Sequence, residues 1–255
     1  MARLYLKNKT IHENVETILF DKDGTLIDIH HYWGAMIKKR AEVICKKFFE
    51  KSFQKESIYV ELVEAMGIDL KTGRMKRNGP VGIKPRTFIA EVVKDIVIKN
   101  DIKIENEDIE EIFNFIDTTT AQNLLPYLKI LPGVECFLKS CQEKGLLLAV
   151  ISTDITKRVE VTMKALKLES YFKFLLGGDL VPNSKPAPDL VHHLGKRANL
   201  ALENTACIGD HPVDIQMGHS SGVSCNIGVL TGLASFSDFQ ALPCYVAKSF
   251  EEIHF

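Results

Sequence analysis

The chain has 255 residues, of which 45% are hydrophobic and 25% charged, a balance that allows a buried core without rescue by disulfides or a structural metal. Thirty-two basic side chains against 33 acidic ones leave a net charge of −1, which argues against a nucleic-acid binder with a concentrated basic face. No uncharged run approaches the roughly 18 residues of a membrane span, and the first ten residues lack both a long apolar stretch and a small-residue cleavage site, so a cytoplasmic protein with reduced cysteines is expected.

The first strand-like run is Thr17 to Phe20, a short apolar segment that ends in a polar turn. From about Ile29 to Leu128 there is no convincing strand. Trp33, Ile37, Ala41, Ile44 and Phe48 mark one face of a long helix, and helical segments follow around Ile58 to Met66, Thr87 to Lys99 and Glu107 to Asp117. Ile130-Leu131-Pro132-Gly133 returns the chain to a second pattern of alternating elements. Val134, Phe137, Leu138 and Cys141 fall on one helical face, Leu146 to Ile151 reads as a strand, and Val159, Thr162, Met163 and Leu166 form the next helical face. Further strands are expected at Phe174 to Leu176, Ala206 to Ile208, Cys225 to Val229 and Tyr245 to Ala247. Strand and helix in alternation imply an α/β fold, a parallel sheet with helices on both faces. The expected division is residues 1–28 with 129–255 as the core and 29–128 as an all-helical insertion, with hinges near Asp28 and between Tyr127 and Gly133.

Ligands of parallel sheets bind beyond the carboxyl ends of the strands. Four strand ends carry Asp21-Lys22-Asp23-Gly24-Thr25, Ser152-Thr153-Asp154, Ser184-Lys185-Pro186 and Gly209-Asp210-His211-Pro212-Val213-Asp214. Each could be a plain turn or helix cap; together they collect acids, a hydroxyl and a lysine on one edge. Asp21 and Asp23 are two apart, so extended backbone would point both carboxylates to one side and Lys22 to the other, as a structural or partly exposed residue. Two adjacent carboxylates are relieved by a divalent cation or by one of them keeping a proton. Oxygen-only ligands favour a hard ion such as Mg²⁺.

These residues resemble the haloacid dehalogenase-like hydrolase superfamily, whose four motifs occur here in order: D-x-D-G-T at Asp21 to Thr25, a strand-end hydroxyl at Ser152, a lysine before proline at Lys185, and G-D-x-x-x-D at Gly209, Asp210 and Asp214. The insertion between the first two motifs is similar to the helical cap of the phosphoglycolate phosphatase and β-phosphoglucomutase branch. The resemblance implies a Rossmann-like three-layer core with a helical cap. It implies Asp21 as the nucleophile, Asp23 as general acid and base, and Ser152, Thr153 and Lys185 as phosphate-binding residues. Mg²⁺ would be held by Asp21, by the backbone carbonyl of Asp23 and by Asp210, with Asp214 in support. Thr153 stands where the family often has Asn, and Lys22 where it more often has an apolar residue.

Within the family that the chain resembles, a carboxylate at Asp23 goes with a leaving oxygen that needs a proton, so the resemblance implies a phosphomonoester hydrolase acting on a small phosphorylated metabolite, such as phosphoglycolate, a sugar phosphate or a nucleotide. The alternatives are a phosphomutase using the same two acids and a non-catalytic binding protein on the same fold. Arg74 to Pro80 with Lys84-Pro85-Arg86 places five basic residues in thirteen; one or two of them, foremost Arg77 and Lys84, would bind an anionic substrate tail, unless the segment is a solvated loop. The expected partner is a small-molecule phosphate ester, with no nucleic acid or membrane, and the protein a monomer or homodimer. Gly218-His219-Ser220-Ser221-Gly222 matches a hydrolase elbow, but that motif needs a strand before the serine and a helix after it, and the order here is the reverse.

Overall fold

A computed structural model describes residues 2–81, 84 and 86–255. The chain divides into two compact units: one made of the segments that end at Asp28 and resume at Leu128, the other of Ile29–Tyr127.

The first unit opens with strands β1 (Ala2–Leu6) and β2 (Lys9–Val15), an antiparallel hairpin that the sequence reading did not anticipate. The two-residue turn at Lys7-Asn8 needs a left-handed residue, and Lys7 takes it with φ +54°. The usual Asn-Gly or Asp-Gly mark of such turns is missing, which hides the hairpin among charged residues. Strand β3 (Thr17–Phe20) is buried at all four positions, as a strand with both faces covered must be.

In the second unit, α1 (Ile29–Phe48), α2 (Lys55–Met66), α3 (Arg86–Lys99) and α4 (Asn106–Ala121) pack in sequence, and α4 closes back on α1. Each buries one stripe; in α4 it is Ile109, Ile112, Phe113 and Ile116. Arg86 ties α3 to α4 through Glu110 Oε2 and Asp117 Oδ2, both at 2.6 Å. No strand is assigned among its described residues; the nearest approach is an isolated bridge between Ile68 and Met75.

Back in the first unit, α5 (Val134–Glu143), β4 (Leu147–Ile151), α6 (Thr156–Ala165), β5 (Phe174–Leu176), α7 (Asp189–Ala198), β6 (Thr205–Gly209), α8 (Pro212–Ser220), β7 (Cys225–Val229) and β8 (Tyr245–Ala247) succeed one another, and β9 (Ile253–His254) pairs with β1. The main sheet has the order β5-β4-β3-β6-β7-β8 with every neighbouring pair parallel. Successive side chains of β3 serve opposite layers. Leu19 joins Leu190, Val191 and Leu194 of α7 and Met217 of α8, while Phe20 meets the rings of Phe137 on α5, Phe172 and Phe250. This is the expected α/β, Rossmann-like three-layer arrangement. From β3 the chain runs to β4 and β5 on one side, then crosses to β6, β7 and β8 on the other. The strand order therefore reverses around β3, the place where such sheets open a crevice at their carboxyl edge. No described helix is long and apolar enough to cross a membrane.

Candidate active site

Asp21 leaves the end of β3, and its N–H donates to the Ile208 carbonyl of neighbouring β6 at 2.9 Å. That pairing sets it beside the loop after β6, which carries Asp210 and leads to Asp214 in the first turn of α8. The three carboxylates offer oxygen atoms all within 4.8 Å of one another. Lys185, in the loop between β5 and α7, reaches them with its ammonium: Nζ donates to Asp21 Oδ1 at 2.7 Å and to Asp214 Oδ1 at 2.6 Å, with its side chain 1% exposed. Asp214 uses its other oxygen to accept the His211 N–H at 3.0 Å, so it caps α8 and anchors Lys185 at once. Asp214 thus does what a helix-capping acid does, and its other oxygen is engaged by Lys185.

Asp210 is seated by close backbone approach. Its carboxylate occupies the space where a Cβ would lie on Gly24, whose φ of +90° also suits glycine, and on Gly232 in the loop after β7. Leu233 N–H donates to Asp210 Oδ2 at 3.2 Å, Thr25 Oγ1 donates to Oδ1 at 3.3 Å, and Thr231 Oγ1 donates to the Gly24 carbonyl at 2.6 Å. The loop Thr231-Gly232-Leu233 was not among the strand ends singled out from the sequence. Its signal was present: Thr-Gly directly after the apolar run that ends at Leu230.

The electrostatics follow from crowding. Burial, then the charges of Asp21 and Asp214, hold the Asp210 carboxyl well above the usual range. Burial also raises Asp214, to about 6, against the pull of Lys185. Burial alone would lower Lys185, but Asp21 and Asp214 outweigh it and keep the ammonium protonated. His211 is pushed down by burial and adds no positive charge near neutral pH. When all three acids are ionised, three carboxylates against one ammonium leave two negative charges in excess, and the raised Asp210 and Asp214 carboxyls show how strongly that excess is resisted without a further cation. An all-oxygen donor set with that excess fits a hard divalent cation.

The segment after Asp21 departs from the extended backbone that the sequence reading assumed. The Lys22 carbonyl accepts from Leu26 and Ile27 N–H groups at 2.9 and 3.1 Å, so the backbone turns at Lys22 rather than running extended. Lys22 consequently does not point away from its neighbours: it is fully buried, with Nζ 2.7 Å from Asp23 Oδ2 and 3.3 Å from Asp154 Oδ2. Burial raises the Asp23 carboxyl, with Lys22 opposing. Ser152 is buried at the end of β4, the other neighbour of β3, and its Oγ accepts the Asp154 N–H at 3.1 Å. Its own proton has no hydrogen-bond acceptor among the described residues. Thr153 is exposed.

Arg77 and Lys84 belong to the second unit, and both are exposed. Lys84 Nζ lies 5.8 Å from the Phe88 ring centre. Of the other basic residues there, Lys76 pairs with Glu64 and Arg86 is engaged by α4. Gly82, Ile83 and Pro85 of the same segment lie outside the described residues.

A family model described as haloacid dehalogenase-like hydrolase matches residues 15–222. Phosphoglycolate phosphatases of Mannheimia succiniciproducens and Haemophilus influenzae are each 30% identical to the chain, over 112 and 118 residues, which is 44% and 46% of this chain and 50% and 51% of theirs. The chain thus spans about half the length of these curated relatives in the match. Two solved structures share the fold over nearly all of both chains. A Thermotoga maritima protein provisionally named beta-phosphoglucomutase has a TM-score of 0.66 at 20% identity, covering 93% of this chain and 96% of that one. A HAD-superfamily hydrolase of subfamily IA from Geobacter sulfurreducens has a TM-score of 0.65 at 16% identity, covering 94% and 96%.

Proposed function

Because the chain belongs to the haloacid dehalogenase-like hydrolase family, we propose that it is a phosphomonoesterase for a small phosphorylated metabolite, working through an aspartyl-phosphate on Asp21 with Mg²⁺ as its metal. The observation that carries this reading is the seat of Asp21: a carboxylate held by a buried ammonium within a cluster of three acids, at the crevice edge of the sheet.

Asp21, the backbone carbonyl of Asp23 and Asp210 would hold the ion, with Asp214 supporting it. Bound there, a divalent cation supplies positive charge that lets an anionic carboxylate approach an anionic phosphate. Lys185 supplies the same kind of charge from the protein, and Ser152 and the backbone N–H of Thr153 donate to phosphate oxygens. An Asp21 oxygen attacks phosphorus, the bond from phosphorus to the ester oxygen breaks, and that oxygen takes its proton from Asp23. Asp23, now a carboxylate, accepts a proton from water as the water oxygen attacks phosphorus. The bond to Asp21 then breaks, inorganic phosphate leaves, and both acids return to their starting states. Raising of the Asp23 carboxyl by burial suits a group that must begin protonated.

The test is phosphate release from a panel of phosphoglycolate, sugar phosphates and nucleoside monophosphates. Release with Mg²⁺ that stops on chelation with EDTA and returns on adding the ion is the expected result. Release that ignores chelation would remove the metal from the proposal, and a phosphoryl group moved within the substrate, without free phosphate, would assign an isomerase. In the same reading residues 29–128 act as the family's cap, and Arg77 and Lys84 bind the anionic tail of the substrate. Arg77→Met or Lys84→Met should raise KM for the best anionic ester about tenfold, the cost of one charge-assisted contact of about 1.4 kcal/mol, with little change in kcat. A KM unchanged in both variants refutes that role.

A further inference from the structure

We propose that Lys22 is a positioning residue for the Asp23 carboxyl: one oxygen is clamped by a buried ammonium so that the other is presented to the ester oxygen. This rests on the reading of Asp23 as general acid.

A fully buried ammonium is costly, and a methionine would fill the same space without that cost. The position nonetheless holds a lysine, and its charge is matched on both sides. Lys22 Nζ lies 2.7 Å from Asp23 Oδ2 and 3.3 Å from Asp154 Oδ2. Asp154 Oδ1 in turn meets Arg158 at 3.0 Å and accepts the N–H of Ile155 at 2.9 Å. Acid and base therefore alternate from Asp23 through Lys22 and Asp154 to Arg158 on α6. The far end is fixed twice over, because the Asp154 N–H donates to Ser152 Oγ and its carbonyl accepts from Gly178 at 2.8 Å.

The two oxygens of Asp23 are consequently unlike. Oδ2 is engaged by Lys22, whereas Oδ1 is buried without a hydrogen-bond partner among the described residues. An oxygen left open in a buried carboxyl is the one that can share a proton with a substrate. The Asp23 side chain has freedom about two bonds, and the Lys22 contact is what selects the rotamer that leaves Oδ1 open. The same contact joins the loop of the nucleophile to the loop of the phosphate-binding hydroxyl, since Asp154 and Ser152 share one turn.

The experiment compares Lys22→Met with wild type on two esters, p-nitrophenyl phosphate, whose leaving group departs as a stable anion, and an alkyl phosphate, whose leaving oxygen must be protonated. The alkyl ester should lose about tenfold or more in kcat/KM beyond whatever the aryl ester loses, because kcat/KM reads the departure of the ester oxygen and not the hydrolysis of the aspartyl-phosphate that both esters share, and only the alkyl departure needs an aimed acid. Asp23→Asn should show the same preference, and adding Lys22→Met to it should change the preference no further. Parallel losses on both esters, or none, overturn the proposal. Where Lys22→Met fails to fold, Lys22→Met with Asp154→Asn removes one charge of each sign and serves instead. A crystal structure of the variant gives a second readout that needs no turnover: the Asp23 carboxylate should leave its wild-type position, and a carboxylate that stays in place overturns the proposal. An Asp23→Asn variant with no preference between the esters refutes Asp23 as the acid, and the crystallographic result then decides Lys22 alone.

Discussion

Asp21→Asn is expected to reduce turnover of every phosphate ester on the order of 10⁴-fold or more while leaving the protein folded. The size of the loss follows from the role: an amide oxygen is a poor nucleophile toward phosphorus, and the residues that remain cannot replace the bond that Asp21 would form. Retention of the fold follows from the surroundings. Asp21 is partly exposed at a loop and one of three mutually repelling carboxylates, so removing its charge relieves Asp210 and Asp214 while costing one bond from Lys185. Lys185 keeps Asp214 as a buried partner at 2.6 Å, so no ammonium is left uncompensated. Thermal melting and steady-state phosphate release, measured on one preparation, give the comparison. A variant that melts like wild type and retains a hundredth or more of its turnover would show that Asp21 is not the nucleophile.

Asp21 could be singled out from the sequence because the chemistry of this fold lies where strands stop. Asp21, Lys185 and the Asp210–Asp214 pair are far apart in the chain, but each of the three segments comes after an apolar run, and a parallel sheet brings such ends to one edge. The main sheet was legible for the same reason: β3, β6 and β7 are nearly uninterrupted apolar stretches bounded by turns. What was not legible depended on local backbone direction. Alternation along an extended strand sends Lys22 away from Asp21 and Asp23, but the chain has already begun to turn, and the lysine ends against Asp23 and Asp154. The β1–β2 hairpin was hidden because Lys7, rather than glycine or asparagine, takes the left-handed turn position. The seat of Asp210 in Gly24 and Gly232 is a matter of missing atoms, which no pattern of side chains announces.

Gly232 is where those missing atoms should have the largest consequence. Gly232→Ala is expected to weaken Mg²⁺ binding by at least about tenfold, and turnover with it. A Cβ built on Gly232 would lie 1.7 Å from Asp210 Oδ2, with the carboxyl carbon at 2.3 Å, far inside van der Waals contact. Asp210 cannot step aside toward Gly24, where its carboxylate already fills the Cβ space at 2.5 Å. Either the carboxylate rotates out of its seat, or the loop Thr231-Gly232-Leu233 withdraws. The second course strips Asp210 Oδ2 of the Leu233 N–H and strains the Thr231 bond to Gly24, so both misplace a proposed metal ligand. Displacing such a ligand by an ångström is enough for a loss of this size, because a hard divalent cation tolerates little error in its oxygen shell. Gly195→Ala supplies the control: Gly195 lies in α7 with nothing within 4 Å of its would-be Cβ, and alanine there should stabilise the helix by about 0.5–1 kcal/mol without touching the ion. Calorimetric titration of Mg²⁺ into the metal-free protein reads the effect directly, independent of any substrate. An affinity within twofold of wild type in Gly232→Ala would mean that Asp210 does not hold the metal from this seat.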